Sequence, residues 1–251
     1  MSARALFWPA FFGGMLLAWA ALWAMGQEAR AFSAVYGAEF WASLCRAGAA
    51  DLSFPALAAM WAVMAAAMMA PTMVPALRTF RELPAPAGGA GQGAALTAGY
   101  LAVWLTAALG FAALQLALAA RGLLAPDARS LSAPLTAALL ALAGAYQFSS
   151  LKAACLSRCR APLSLFIARW RPGIGPAFGI GLRIGADCLG CCWALMLLAF
   201  VGGMGNLLFM GLATLLMVLE KLPEFGRPLT RPLGVVLLIS AGAALLRAQG
   251  G

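Results

Sequence analysis

Long, uninterrupted apolar segments make up most of the chain, and short polar segments separate them. The apolar positions do not alternate with a period of two, as they do in membrane barrels, so the pattern favours helices. Crossing a bilayer takes a helix of about 20 residues, and seven segments approach or exceed that length. The predicted spans are Leu6–Met25, Leu52–Val74, Ala95–Ala119, Leu131–Ser150, Ile174–Val201, Leu207–Leu219 and Pro232–Leu246. The sixth is short, as expected of a tilted or re-entrant helix.

Composition supports the same fold class. Of the 251 residues, 64% are hydrophobic and 10% are charged, whereas soluble domains carry about 25% charged residues. A soluble fold of this size could not remove so much apolar surface from water. We therefore predict an all-α, polytopic integral membrane protein with about seven transmembrane helices, forming one domain over residues 1–251, with the lipid bilayer as its first partner.

The net charge of +9 does not indicate nucleic-acid binding, because the basic residues lie in short loops between spans rather than on one soluble face. With seven spans, eleven Lys and Arg residues lie on the side of the N-terminus and five on the other side, while Arg183 lies within a span. The positive-inside rule then predicts a cytoplasmic N-terminus in a multi-pass bacterial inner membrane protein.

The sequence contains no histidine, but it contains six cysteines and twelve methionines. Histidine-ligated haem and histidine proton relays are therefore excluded for this chain alone. Thiolates and thioethers are soft ligands that favour Cu(I) over hard cations. Any metal handled by this chain is thus predicted to be soft, and copper as Cu(I) is the leading candidate.

The fifth predicted span carries three cysteines beside a carboxylate. On a helix, Asp187, Cys188, Cys191 and Cys192 fall within an arc of roughly 140°, and Arg183 lies one turn before Asp187, where the two can pair. This arrangement predicts a metal or redox site whose local charge is set by Asp187 and Arg183. The alternative is that the cysteines pack as small apolar side chains and the charged pair fixes helix packing.

The second predicted span carries methionines at a spacing of four, Met60, Met64 and Met68, which places them in one stripe. They are candidate thioether ligands, and the alternative is that they fill the core. On the predicted boundaries, Met60 and Met64 lie at the depth of Cys188. We expect Pro71 to kink or end this helix and to free a carbonyl oxygen.

The basic segment after the fourth span holds Cys155 and Cys159, which share a face if the segment is helical. Neighbouring Lys and Arg favour thiolate and therefore metal capture; the alternative is a basic helix that faces lipid headgroups. At the end of the sixth span, Glu220 and Lys221 are expected to snorkel to the inner interface.

Several of these motifs together resemble a bacterial family of metal-binding integral membrane proteins that is catalogued as a domain of unknown function. The resemblance covers about residues 52–221 and rests on the blocks Met60-Trp61-x-x-Met64-x-x-x-Met68-Met69-x-Pro71-Thr72, Cys155-Leu156-x-x-Cys159-Arg160 and Cys188-Leu189-Gly190-Cys191-Cys192-Trp193, followed by Glu220-Lys221. Ser149-Ser150 departs from the Thr-Pro expected before Leu151-Lys152, and Gly205 is inserted between Met204 and Asn206. The resemblance implies metal handling in a bacterial inner membrane.

Three functions remain open at this point. The first is non-enzymatic: binding Cu(I) for transport, or for delivery from a copper chaperone to a cuproenzyme, with Cys188, Cys191 and Cys192 as primary ligands and Cys155 and Cys159 as an inner docking site. The second is a structural or assembly subunit of a larger membrane complex. The third is a membrane thiol–disulfide oxidoreductase, which a helical pair of cysteines three residues apart disfavours because a disulfide fits poorly there.

Overall fold

The computed structural model describes residues 3–26, 53–82, 90–125, 128–204 and 206–249. Helices make up nearly all of this part of the chain, and its β-structure is one isolated bridge between Leu124 and Ser130. The helices are α1 (Ala3–Gly26), α2 (Phe54–Glu82), α3 (Ala90–Ala119), α4 (Ala133–Tyr146), α5 (Ser150–Arg160), α6 (Pro162–Arg169), α7 (Ile174–Met196), α8 (Ala199–Gly202), α9 (Leu207–Lys221) and α10 (Pro223–Gln249). Cys45 lies outside the described residues.

Each predicted span overlaps a helix, so the all-α class is confirmed, but the count of seven spans is wrong. Four helical segments in the described residues are long and apolar enough to cross a bilayer: Phe54–Glu82, Gly91–Ala119, Ile174–Gly202 and Pro228–Arg247. A fifth is added if α4 and α5, which meet at a bend of 61°, count as one broken span. The orientation argument assumed seven crossings, so it loses its basis.

One predicted span falls short for reasons of length: α9 has 15 residues, equal to about 23 Å of helix, which is less than the hydrocarbon core of about 30 Å. In α1, the described side chains form an apolar stretch over Trp8–Ala24. The predicted Leu131–Ser150 span is broken because Ser149 starts a new helix: its side chain accepts a hydrogen bond from the backbone N–H of Lys152.

Helix α2 continues through Pro71 and Pro75 to Glu82, so the expected helix end at Pro71 is wrong. Proline at this position leaves the carbonyl of Ala67 without its helical donor. The indole N–H of Trp19 in α1 donates to that carbonyl over 3.1 Å. The freed oxygen thus joins α1 to α2 and is not left unsatisfied.

Helices α3 and α7 approach each other closely, because glycines remove the side chains between them. A Cβ built on Gly99 would overlap the backbone of Phe178, and one built on Gly181 would overlap the backbone of Leu96. Gly185 likewise meets Tyr100. Gly181 and Gly185 are four residues apart, a spacing of small residues that on the sequence alone favours the close approach of a second helix, and the structure confirms this expectation. This contact fixes α7, with its cysteines, against α3.

Helix α2 also packs against α3, through Trp61. Its indole donates to the side-chain carbonyl of Gln115 over 2.8 Å and stacks on Phe111 at a centroid distance of 4.8 Å. Phe200 of α8 lies against the same indole, 5.5 Å between centroids. The half of α2 that carries Met60 and Met64 is therefore built into an aromatic core.

Candidate metal site

Cys188 lies where four helices meet, and its sulfur has polar neighbours from three other helices. The ammonium of Lys221, the last residue of α9, donates to Sγ over 2.8 Å. The Tyr100 hydroxyl of α3 lies 3.1 Å from the sulfur, and the Thr72 hydroxyl of α2 lies 3.5 Å from it. All four side chains are buried. The sulfur of Cys188 is therefore surrounded by polar groups of three helices and not by apolar side chains alone.

The two hydroxyls beside Cys188 are held by α2 itself. Thr72 donates to the carbonyl of Met69 over 2.7 Å, and Tyr100 donates to the same oxygen over 2.9 Å. The hydroxyls of Thr72 and Tyr100 also lie 2.9 Å apart. This network fixes the position of one wall of the site before any ligand arrives.

Three further thiols continue from Cys188 toward α5. The sulfur of Cys191 lies 3.2 Å from that of Cys192 and 4.0 Å from that of Cys159 in α5, and it donates to the carbonyl of Cys188 over 3.1 Å. The ammonium of Lys221 interacts electrostatically with all three cysteines of α7. Donors from α5 and α7, which are separate in sequence, therefore form one sulfur cluster.

A narrow cavity leads from the surface to Cys188. Its volume is about 20 Å³, room for about one water molecule. Its lining includes Thr72, Tyr100, Arg158, Cys159, Asp187, Cys188 and Lys221. At its mouth, Arg158 of α5 and Asp187 of α7 form an ion pair of 3.0 Å, with 59% of the Arg158 side chain exposed. An ion entering here would pass the ion pair, then Cys159, and reach Cys188.

The other end of α5 is fixed by a buried ion pair. The ammonium of Lys152 lies 2.8 Å from Oε2 of Glu220, and the two side chains are 1% and 2% exposed. At the C-terminal end of α5, Arg160 donates a hydrogen bond from Nε to the backbone carbonyl of Glu220 over 2.9 Å, so the same residue of α9 is contacted from both ends of the helix. The expectation that Glu220 and Lys221 snorkel to an interface is wrong: both are buried, and each binds a partner inside the fold.

The predicted pairing of Arg183 with Asp187 is also wrong. Arg183 is exposed on the opposite side of α7 from the sulfur cluster and lines a separate groove. Asp187 is buried and pairs with Arg158 of α5 instead. Arg158 of the neighbouring helix α5 thus takes the place at Asp187 that Arg183, one turn earlier on α7, was expected to fill.

The structure separates most of the methionine stripe from the cysteines. Cys188 contacts α2 at Thr72, so Met60 and Met64 lie about 18 Å and about 12 Å away along the helix axis. Met68 is one turn from Thr72. All three methionines are buried. The expectation that Met60 and Met64 lie level with Cys188 is therefore wrong.

Cys155 and Cys159 share one face of α5 as predicted, but they meet different parts of α7. Cys159 reaches Cys191, whereas Cys155 lies against Gly190, where an added Cβ would be 2.6 Å from its sulfur. The carbonyl of Gly190 accepts a hydrogen bond from the Tyr146 hydroxyl. Gly190 thus lets α5 approach closely enough for Cys159 to join the sulfur cluster.

Sequence reasoning missed Tyr100 and Lys221 as members of the site, and it gave Arg158 only a role in favouring thiolate at Cys155 and Cys159, not a pairing with Asp187. Thr72 and Lys221 stood in the motif blocks, but no chemistry was assigned to them. A lysine directly after an apolar helix of only 15 residues was the available signal, because such a helix can end inside the fold rather than at an interface.

The donors fit a soft ion better than a hard one. Within the described ranges, no three Cys, Asp or Glu side chains are already arranged around one point as metal ligands. The sulfur pair Cys159–Cys191 is spaced at 4.0 Å, which suits an ion between two thiolates at about 2.3 Å from each. Soft donors in low number favour Cu(I).

Comparison with protein-family models identifies the family of this chain. Residues 58–244 match the family model of PpoB2, described as a copper chaperone. The match covers most of the chain, so the protein belongs to this family, and its handling of copper follows from that membership. It includes every residue of the sulfur cluster and of both ion pairs of α5. Searches of curated proteins and of solved structures gave no match.

Proposed function

We propose that this member of the copper chaperone family is an integral membrane protein that holds Cu(I) on the sulfur cluster between α5 and α7 and delivers it to a cuproenzyme. Cys188, Cys191, Cys192 and Cys159 are the ligands in this proposal. Copper is the cargo, so the protein must release it as well as bind it.

The observation that carries the proposal is the contact between Cys188 and Lys221 at the end of the narrow cavity. A positive charge 2.8 Å from the sulfur favours the thiolate, which is the form that binds metal. A thiolate buried without a cation would carry a large desolvation penalty. Lys221 therefore makes a buried soft ligand possible in the copper-free protein.

The route to that ligand follows from the lining of the cavity. Asp187 places negative charge at the mouth, and Arg158 occupies it until a cation arrives. Cys159 is the half-buried thiol on this route, and Cys191 lies directly behind it. Successive thiols let an ion move inward by ligand exchange, and weak multiple sites also let it leave.

The surface supports a bilayer location. Large apolar side chains are exposed along the candidate spans, including Leu105 at 53%, Val236 at 57% and Ile239 at 66%. Contiguous apolar surface of this kind marks contact with lipid or with another protein, and the four apolar helices have the length to cross a bilayer. Copper held among these helices would be screened from aqueous thiols.

The test is an anaerobic Cu(I) titration of detergent-solubilised protein against a calibrated chelator. The triple variant Cys188→Ser/Cys191→Ser/Cys192→Ser should lose at least about a hundredfold in affinity. Two control variants should keep wild-type affinity within about threefold: Met60→Leu/Met64→Leu, and Cys155→Ala.

Three results would count against the proposal. Equal, weak binding by the wild type and the triple variant would make the cluster a packing element and favour an assembly subunit. Loss of copper in the methionine variant would move the site to α2. A disulfide recovered quantitatively between Cys159 and Cys191 in freshly purified protein would instead favour the oxidoreductase.

A further inference from the structure

The face of α7 opposite the sulfur cluster carries a second, unassigned groove. It has a volume of about 450 Å³ and lies between α6 and the first half of α7. Two guanidinium groups line it, from Arg169 at the end of α6 and Arg183 in α7. No Asp or Glu belongs to the lining in the part of the chain that the structure describes. The groove is therefore positively charged and has no internal counter-ion.

We propose that this groove binds an anionic phospholipid, with the headgroup phosphate between Arg169 and Arg183 and one acyl chain along α7. The proposal rests on the bilayer location argued above and is independent of copper. Guanidinium groups bind phosphate oxygens with paired hydrogen bonds, and the acyl chain requires an apolar, open channel beside them.

The position of Arg183 is the first argument. It is exposed, nine residues into the helix that begins at Ile174, or about 14 Å along its axis. Its exposed neighbours are apolar: Ile174 at 66%, Phe178 at 38% and Leu182 at 37%. A charged side chain at such a position is costly in a bilayer unless it finds a partner or snorkels to the interface. Arg169, which shares its groove, marks the direction of that interface.

The floor of the groove is the second argument. No described atom lies within 4 Å of a Cβ built on Gly175 or Gly179. Gly181 and Gly185, on the other face, are filled by α3. Glycines that no helix covers leave an open channel beside the arginines, and its width and apolar rim suit an acyl chain.

The positive charge of the groove favours a phospholipid over a second copy of this helix as its occupant. A stripe of small residues also suits helix pairing, but two copies of this face would bring four arginines together without a carboxylate. A phosphodiester neutralises the pair instead. The acidic residue nearest in sequence, Asp187, lies one turn after Arg183 but is held by Arg158 of α5.

The experiment compares lipid binding by purified protein in neutral detergent, using native mass spectrometry with phosphatidylglycerol and phosphatidylcholine. The wild type should prefer phosphatidylglycerol about tenfold, and Arg169→Gln/Arg183→Gln should abolish that preference. Arg121→Gln/Arg247→Gln removes the same charge from exposed positions elsewhere and should retain it. Gly179→Leu keeps both arginines, fills the channel, and should weaken phosphatidylglycerol binding as well.

The outcomes separate this site from the copper site. No lipid preference in the wild type, or an equal loss in the Arg121/Arg247 control, overturns the proposal. Competition by millimolar inorganic phosphate, or an unchanged Gly179→Leu variant, shows a free anion site rather than a lipid groove and also overturns it. Loss of a dimer in Gly179→Leu without a change in lipid binding assigns the face to a second copy. Cu(I) titration of Arg169→Gln/Arg183→Gln should match the wild type, so a failure of copper binding leaves the lipid result interpretable.

Discussion

Two ion pairs hold the two ends of α5, and they have nearly the same geometry in different surroundings. Lys152–Glu220 measures 2.8 Å with side chains 1% and 2% exposed, and Arg158–Asp187 measures 3.0 Å with side chains 59% and 11% exposed. The first joins α5 to α9, and the second joins it to α7 above the cavity. Cys155 lies between the two pairs, and Cys159 follows directly after Arg158.

The difference in exposure predicts a difference in role. A buried pair is difficult to separate, because one charge would remain in an apolar environment without its partner. A mostly exposed charge such as Arg158 exchanges its partner for water at little cost. We therefore expect the Lys152–Glu220 pair to act as a fixed anchor and the Arg158 side chain to act as the movable cover of the copper route.

The largest effect on stability should come from removing one partner of the buried Lys152–Glu220 ion pair. Lys152→Met leaves the Glu220 carboxylate buried without its ammonium, and we expect the free energy of unfolding to fall by about 3–5 kcal/mol. SDS-induced unfolding in mixed micelles, followed by tryptophan fluorescence, measures this change.

The control for the anchor removes both charges. Lys152→Met/Glu220→Met leaves no unpaired charge, so most of the lost stability should return. A single variant that costs no more than about 1 kcal/mol, as an exposed pair would, would contradict the contrast between the two ends.

The second-largest effect on stability should come from disturbing the contact between α5 and α7 at Gly190, which lies between the two ion pairs. Gly190→Ala would place a Cβ 2.6 Å from the sulfur of Cys155 and push α5 away from α7, costing about 1–3 kcal/mol and lowering Cu(I) affinity. Gly110→Ala in α3, where no described atom lies within 4 Å of the new Cβ, should instead stabilise the helix by about 0.5–1 kcal/mol.

A double variant shows whether the overlap is the cause. Cys155→Ala removes the sulfur that the new methyl group meets, so Gly190→Ala/Cys155→Ala should regain both stability and copper affinity. If affinity stays low, the damage acts through Tyr146 and the Gly190 carbonyl rather than through the spacing of the helices.

The sequence predicted well those features that depend on neighbouring residues within one helix. Apolar runs located the helices, helical spacing placed Cys188, Cys191 and Cys192 on one face, and glycine spacing marked Gly181 and Gly185 as contact points. These inferences depend only on the 3.6-residue period and on side-chain size. The soft-metal interpretation used donor chemistry alone, and the family match supports copper independently of it.

What the sequence could not predict was the register between helices. Depth was counted from span ends, but α2 and α7 meet with Thr72, rather than Met60 or Met64, at the level of Cys188. Likewise, the Asp187 pair depends on how α5 lies after the bend at Ser149. Such pairings are set by tertiary packing between distant segments, which periodicity does not encode.

The two cysteines of α5 should differ in how readily they are oxidised. The cysteine beside the exposed ion pair, Cys159, should react, and the cysteine nearer the buried pair, Cys155, should not. Cys159 lies at the mouth of the cavity, 4.0 Å from the sulfur of Cys191, so diamide should link these two when it oxidises both thiols. Cys155, held against Gly190 near the anchor, should remain free. Cu(I) loading should protect Cys159, and peptide mass spectrometry of trapped disulfides measures each case. Equal cross-linking of Cys155 would mean that the anchored end moves as well.

The smallest effect on stability should come from opening the cover. Arg158→Gln removes a guanidinium that is mostly exposed, so the free energy of unfolding should change by less than about 1 kcal/mol. Copper loading should nevertheless become faster, by about tenfold or less, because the mouth loses a positive charge and keeps Asp187. Stopped-flow mixing with Cu(I) in dilute acetonitrile measures the rate, and Arg171→Gln is the matched control for net charge.

The salt dependence of the loading rate shows whether Arg158 slows copper by physically blocking the cavity or only by electrostatic repulsion. If Arg158 only repels the incoming cation, raising the ionic strength to 1 M, where the Debye length is about 3 Å, should make the wild type as fast as Arg158→Gln. If it also blocks the route physically, the variant should stay faster at every salt concentration. A variant no faster than the wild type at low salt would remove the cover altogether, and copper would then have to reach Cys188 by a route that does not pass Asp187.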